Sequence, residues 1–179
     1  DADGAPHVAL HTSFYNELED GIAPGLWNHI YDVTTRELLA SWNAIDTLSQ
    51  GSGLGGNPKY SHHWSEELDL EAAGKSFIAT TTRIQTLDMN TASSGTGQPV
   101  LGPLASFGDA AINDAHGYAE ITLNLLSTMG HDSIDDRGFR IVSRVHYGVQ
   151  YENAFWNGAE MTYGDGKTIY YPLSGALDV

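Results

Sequence analysis

Residues 151–166 read YENAFWNGAEMTYGDG and set two large rings, Phe155 and Trp156, side by side between Asn153–Ala154 and Asn157. In a half-buried strand successive side chains point to opposite faces, so one of these rings leaves the core unless something covers it. The segment leading in, FRIVSRVHYGVQYENAFWNG (139–158), has the aromatic and β-branched content of strands. The segment leading out, GAEMTYGDGKTIYYPL (158–173), predicts a hairpin whose Asp165-Gly166 turn suits the positive φ angles of a type I′ loop.

Upstream, GDAAINDAHGYAEITLNLLSTMGH (108–131) predicts the one clear helix. Ile112, Ala115, Ala119, Thr122, Leu126 and Met129 recur at spacings of three and four and form a single stripe. Asp109 suits the N-cap and Gly130 the C-terminal stop. His116 lies one position off the stripe with no H-E-x-x-H context and reads as a structural histidine. The loop after the helix, HDSIDDRG (131–138), lacks the D-x-D-x-D-G order of an EF-hand and reads as a solvated surface loop.

Residues 60–100 mix Thr-rich strand-like runs with the loop NTASSGTGQP, as in an antiparallel sheet with long turns. His62 and His63 read as a polar turn beside Trp64, because adjacent side chains of a strand point in different directions. Residues 7–43 read as two or three short antiparallel strands, with Asp32, Thr34 and Thr35 bonding their own backbone in a turn. Between these blocks, NAIDTLSQGSGLGGNPKY (43–60) has the Gly/Ser composition of a linker. Its Gly51, Gly53 and Gly56 spell G-x-G-x-x-G, but Pro58 follows at once and no helical period does, so a dinucleotide site is not expected.

The 179 residues carry 23 acidic and 8 basic side chains, a formal net charge of −15. Simple repulsion opposes nucleic acid or an anionic membrane as a partner. The absence of cysteine removes disulfides and thiolate metal sites together. No apolar run approaches the roughly 18 residues that a membrane span needs. The opening DADGAPHVAL has no basic n-region ahead of an apolar h-region. The closing LSGALDV ends without a cap or turn, and the expectation is a chain that continues.

From INDAHGYAEITLNLL through VHYGVQYENAFWNGAEMTYGDG to YPLSGALDV, the motifs DAH.YA, NAFWNG.EM.YGDG and PLSG..DV resemble, in order and spacing, the N-terminal half of the catalytic region of thermolysin-like zinc metalloendopeptidases. LWNHIYDVTTRELLASWNAID and the following GLGGN resemble the end of that family's PepSY-type propeptide and the start of its mature enzyme. The resemblance implies an α+β fold: an antiparallel β-rich N-terminal domain with one long amphipathic helix, preceded by a propeptide β-hairpin remnant. Residues 1–48 are then the end of the propeptide, 49–59 a Gly-rich linker with maturation cleavage near Ser49 to Gly53, and 60–179 the peptidase domain, truncated before its zinc helix.

The same resemblance implies a secreted protease whose partners are a peptide or protein substrate, its own propeptide and the C-terminal half of the enzyme. Asn153, Ala154, Phe155 and Trp156 become the substrate-docking strand, and Tyr170, Leu173 and Val179 the lining of an apolar primed-side pocket. Asp178 becomes a calcium ligand. Some relatives carry an Asp-x-Asp calcium site ahead of the DAH helix that TASSGTGQPVLGPLASFGD lacks. Zinc is implied for the parent, yet no H-E-x-x-H occurs in this chain, so the fragment is expected to be inactive alone. Two other readings stay open: a secreted peptide-binding module without catalysis, and an inhibitory or chaperone pro-segment.

Overall fold

A computed structural model describes residues 8–16, 25–43, 48–73, 76–102 and 106–175. The chain divides into two compact units, residues 1–47 and 48–179.

The smaller unit is an antiparallel sheet of β1 (Ala9–Asn16), β2 (Gly25–Asp32) and β3 (Leu38–Asn43) in the order β1-β2-β3. The turn between β2 and β3 forms as its residues dictate. The Asp32 carboxylate accepts from the amides of Thr34 (2.7 Å) and Thr35 (2.9 Å), and Thr35 Oγ1 accepts from Glu37 N. Leu10, Phe14, Leu38 and Leu39 each stay about half exposed, in keeping with three strands being too few to enclose a core.

The larger unit runs β4 (Leu48–Asn57), β5 (Tyr60–Ala73), β6 (Ser76–Ile78), β7 (Ile84–Asp88), β8 (Gln98–Pro99), β9 (Leu101–Gly102), β10 (Ser106–Phe107), α1 (Ala110–Thr128), β11 (Ile141–Val145), β12 (Ala154–Trp156) and β13 (Met161–Tyr163). These strands make two five-stranded sheets, β10-β4-β5-β6-β9 and β12-β13-β11-β7-β8. The class is α+β, β-rich with a single helix among the described residues. Most ladders are antiparallel, and the pairs β10/β4, β11/β13 and β11/β7 are parallel.

The glycine-rich stretch is a strand, contrary to the linker expected there. Gly51, Gly53, Gly55 and Gly56 are buried in β4, which pairs with β5 along its length. Composition pointed to a loose chain, but burial against α1 decides. A Cβ on Gly53 would collide with the Asn113 side chain, which donates to Leu54 O (2.8 Å) and Phe107 O (2.9 Å). His62 and His63 likewise lie within β5 rather than in a turn, His62 half-buried and His63 exposed. A register shift falls opposite Gly51–Gly53, with Glu66 at φ 57, and Trp64 and Leu68, an even four residues apart, both turn inward.

Helix α1 starts and stops where local chemistry says it should. Asp109 Oδ1 accepts from Ala111 N (2.9 Å) and Ile112 N (3.4 Å). At the other end Gly130 adopts φ 86, with Gly130 N bonded to Ser127 O and His131 N to Leu126 O, a Schellman stop. The stripe holds only in the first half, where Ile112 and Ala115 join Trp64, Leu68, Leu70, Phe107 and Val145 in the core and Ala119 is buried beside them. Thr122 and Met129 are exposed, the latter by 64%. Beyond Glu120 no residue of the helix is buried.

The predicted hairpin over 158–173 does not form. Strand β13 pairs with β12 and β11, and residues 164–172 carry no strand. Gly166 has φ 71 but Asp165 is not in the left-handed region, so the turn is not type I′.

Candidate functional site

β12 is an edge strand, bonded to β13 alone. Its register is Ala154↔Tyr163, Phe155↔Thr162 and Trp156↔Met161. Gly164 N donates to Asn153 O (3.0 Å) and Asn157 N to Glu160 O (3.1 Å) on either side. Antiparallel ladders alternate bonded and non-bonded pairs, so the bonded pairs are 153/164, 155/162 and 157/160. The main-chain groups of Ala154 and Trp156 therefore face away from β13, toward the open edge. The Ala154 N–H is satisfied for now by the side chain of Asn153, 2.9 Å from Oδ1.

Cross-strand partners share a face, so Trp156 lies with Met161 and Ser143 on the side toward α1. There it lines a cleft of about 280 Å3 with Tyr118, Thr122, Ile141, Met161 and Tyr163. Trp156 is 45% exposed, and its ring meets Phe139 at 6.0 Å. Phe155 takes the other face, edge-on to Tyr147 (5.5 Å) and Tyr151 (6.3 Å). Neither ring belongs to the main core. Phe155 is half covered by two tyrosines, and Trp156 is the ring left in the open.

The remaining expected residues divide. The Glu152 carboxylate accepts from the amides of Thr168 (2.6 Å) and Ile169 (2.9 Å), which hold it below its ordinary pKa and bring the Tyr170 loop beside the strand. Tyr170 is 52% exposed. Leu173 is half-buried and its N–H donates to Gly164 O (3.1 Å). Asp178 and Val179 lie outside the described residues.

Among the described residues no three His, Cys, Asp or Glu side chains stand where they could share a metal ion. They do not fit zinc. One H-x-x-x-H spacing does exist, His7-Val8-Ala9-Leu10-His11, without the second-position glutamate. That spacing serves zinc on a helix, whereas His11 lies on strand β1 and bonds Asn28 Oδ1 (2.8 Å). His7 is outside the described residues.

Two buried polar groups of α1 fasten it to the sheets. Asp114 accepts from Trp64 Nε1 (3.0 Å) and Gly56 N (2.7 Å), with His62 Nε2 at 3.3 Å. Its burial pushes the carboxyl above the usual range, against the pull of those donors. His116 donates from Nε2 to Asp69 O (2.7 Å), and its Nδ1 shares a hydrogen with the Thr86 hydroxyl (3.0 Å). It is the structural histidine expected from sequence.

A third cluster escaped sequence reading. His146 lies between Asp109 and Asp165, with Nε2 3.2 Å from Asp109 Oδ2 and Nδ1 2.8 Å from Asp165 Oδ1. Bonds to Asp109 first and Asp165 second push the imidazolium up to about 10, against the opposing effect of its burial. His146 in turn holds Asp109 below the ordinary carboxylate value. No spacing signal joins three residues that come from a β-strand end, a helix cap and a loop.

The larger unit is thus an α+β domain with a short aromatic edge strand beside an apolar cleft backed by α1. Residues 55–179 match the family described as thermolysin metallopeptidase, catalytic domain, and this protein belongs to that family. It is 34% identical over 174 residues to neutral protease B of Bacillus subtilis (strain 168), covering 87% of this chain and 31% of that protein. It is 33% identical over 165 residues to bacillolysin of Brevibacillus brevis, covering 87% and 30%. Among solved structures, the precursor of protealysin, a metalloproteinase from Serratia proteamaculans, aligns at 32% identity with a TM-score of 0.49, covering 53% of this chain and 30% of that one. The chain thus spans under a third of the length of these curated relatives. No helix among the described residues is long and apolar enough to cross a membrane.

Proposed function

We propose that this chain is the substrate-aligning domain of a secreted thermolysin-like zinc endopeptidase that cuts before apolar P1′ residues. The observation that carries the reading is the open edge of β12, where the main-chain groups of Ala154 and Trp156 face outward. An extended peptide can add there as a further strand, and main-chain bonding of that kind tolerates many sequences. The amide of Asn153 offers both donors and an acceptor, and its Oδ1 now occupies the Ala154 N–H that a substrate carbonyl would take. Trp156, Tyr170, Leu173 and Val179 supply apolar surface for the side chain that follows the cut.

In this reading the chain's contribution to catalysis is orientation. Holding the scissile bond in a fixed strand removes rotational freedom that would otherwise count against reaction, worth several kcal/mol. Zinc, which in such an enzyme polarises the peptide carbonyl and activates water, has no ligand set among the described residues. The calcium assigned to Asp178 belongs to the same proposal. Residues 1–48 act as the end of a pro-region, with cleavage near Ser49 to Gly53. Because β4 is paired there with β5, its first residues must detach before a protease can reach them.

The test is cleavage of quenched peptides by the parent protein, with Leu, Phe or Asp at P1′, before and after chelation. Chelator-sensitive cleavage ahead of Leu and Phe, at least ~10-fold faster than ahead of Asp, is expected. Cleavage that survives full metal removal, or no cleavage together with peptide binding, would turn the reading toward a different enzyme or a binding module.

A further inference from the structure

His146 directly follows β11, at φ 55, a left-handed conformation tolerated best by Asn, Asp and His among side chains with a Cβ. Its ring lines a cleft of about 400 Å3 with Leu54, Pro58 and Pro172, and among the described residues the charged groups on those walls are His146, Asp109 and Asp165. Both ring nitrogens face carboxylate oxygens, so each carries a hydrogen and donates it. Asp109 keeps its other oxygen on the first amides of α1. Asp165 sits between Gly164 and Gly166, whose N–H groups donate to Asn153 O and Tyr151 O, each at 3.0 Å. An unbroken line of bonds therefore runs from the cap of α1, through the imidazolium, to the backbone that opens β12.

We propose that His146 is a positioning residue for the edge strand: clamped between Asp109 and Asp165, it fixes the Gly164–Gly166 segment, and with it Asn153 and Ala154, against the N-terminus of α1. The functional half of this statement rests on the docking role proposed for β12. The anchoring half does not. The charge of both partners matters, because a bond between ionised groups is shorter and stronger than a neutral one, and because one-sided pairing would leave the ring free to swing into the cleft.

The test compares the 179-residue chain with its His146→Asn and Asp165→Asn variants. The first keeps a residue that accepts positive φ, and the second keeps the shape of the loop side chain. Amide hydrogen exchange is followed residue by residue, and binding of a fluorescein-labelled decapeptide with a central Phe-Leu pair is titrated on the same samples. In both variants the Gly164 and Gly166 amides are expected to exchange at least ~10-fold faster, while Ala79 and Thr86, bonded to Val100 O and Ala79 O, keep their rates. The peptide Kd is expected to rise about 5- to 20-fold. Wild-type exchange at Gly164 and Gly166 in Asp165→Asn overturns the proposal, and so does uniform acceleration at every amide, which a general loss of stability would give. If the wild-type chain binds no peptide but the two amides loosen as stated, the anchor stands and the docking role of β12 falls.

Discussion

β4 and β12 are the two most conspicuous runs of the sequence, and the larger unit uses them in opposite ways. The glycine-rich run looks like slack chain and is buried, because its missing side chains let α1 approach the sheet. The aromatic run looks like core and sits on an open edge, with Trp156 45% exposed. Composition is thus a poor guide to burial where backbone approach or a missing neighbour decides it. The buried sheet spends its sequence on fixing one arrangement of helix and strands. The open edge keeps main-chain groups available, and these are what an extended partner can use.

The sharpest way to break this comparison is at Asp114, where β4, β5 and α1 meet. Asp114→Ala leaves the buried Trp64 Nε1–H and Gly56 N–H without their acceptor. At about 1–3 kcal/mol for each orphaned donor, a loss of roughly 3–5 kcal/mol in urea unfolding is expected. A loss under ~1 kcal/mol would mean that the β4–α1 contact is not what stabilises the unit.

Gly117→Ala tests the same contact from the helix side. Alanine is the better helix former by ~1 kcal/mol, but its Cβ would stand 2.6 Å from the Trp64 ring. A buried indole has little room to give, so overpacking near the top of its ~1–3 kcal/mol range should win. A net loss of about 2 kcal/mol is expected in the same unfolding assay; a gain in stability would show that the two elements are not close-packed there.

The His146 cluster predicts a pH response in the alkaline range. A histidine raised from 6.5 to about 10 by folding binds its proton more tightly in the folded state. Its stabilisation is then whole below pH ~6.5 and is lost as pH climbs through the folded value. Unfolding at fixed urea concentration between pH 6.5 and 10 should show a loss of about 1–2 kcal/mol, moderated because the cleft admits solvent. The slope should vanish in His146→Asn. Asp109 behaves in the opposite sense: its lowered pKa stabilises above pH ~4 and that contribution disappears on acidification.

The smallest effect on stability, and the one that separates edge from core most clearly, is Asn153→Ala. The residue is exposed and its side chain bonds only the next amide among the described contacts, so unfolding should change by under ~0.5 kcal/mol. Peptide binding should weaken about 5- to 10-fold, the worth of one hydrogen bond. Equal losses in stability and in binding would place Asn153 with the buried sheet instead.

Local chemistry was legible in the sequence wherever a side chain bonds its own neighbourhood. The Asp109 cap, the Gly130 stop and the Asp32 turn all form, because their partners lie within a few residues. The helix stripe was legible only to Ala119, since nothing in the periodicity says where burial along the helix ends. The 158–173 hairpin failed because β13 finds better partners: Tyr163 O is taken by Tyr147 N, and Gly166 N by Tyr151 O. The edge strand's residues were named from its motif, but their directions needed the ladder's phase.

By itself the sequence determined the family, the helix with both its ends, and the presence of two adjacent rings that no single face can bury. These follow from residue order and short-range bonding, which the chain carries with it. Tertiary structure decided which run is buried, which ring stays in the open and that His146 meets two carboxylates. Each of those depends on how far apart distant segments come to rest, a distance set by the packing of α1 on two sheets and by nothing that can be counted along the chain.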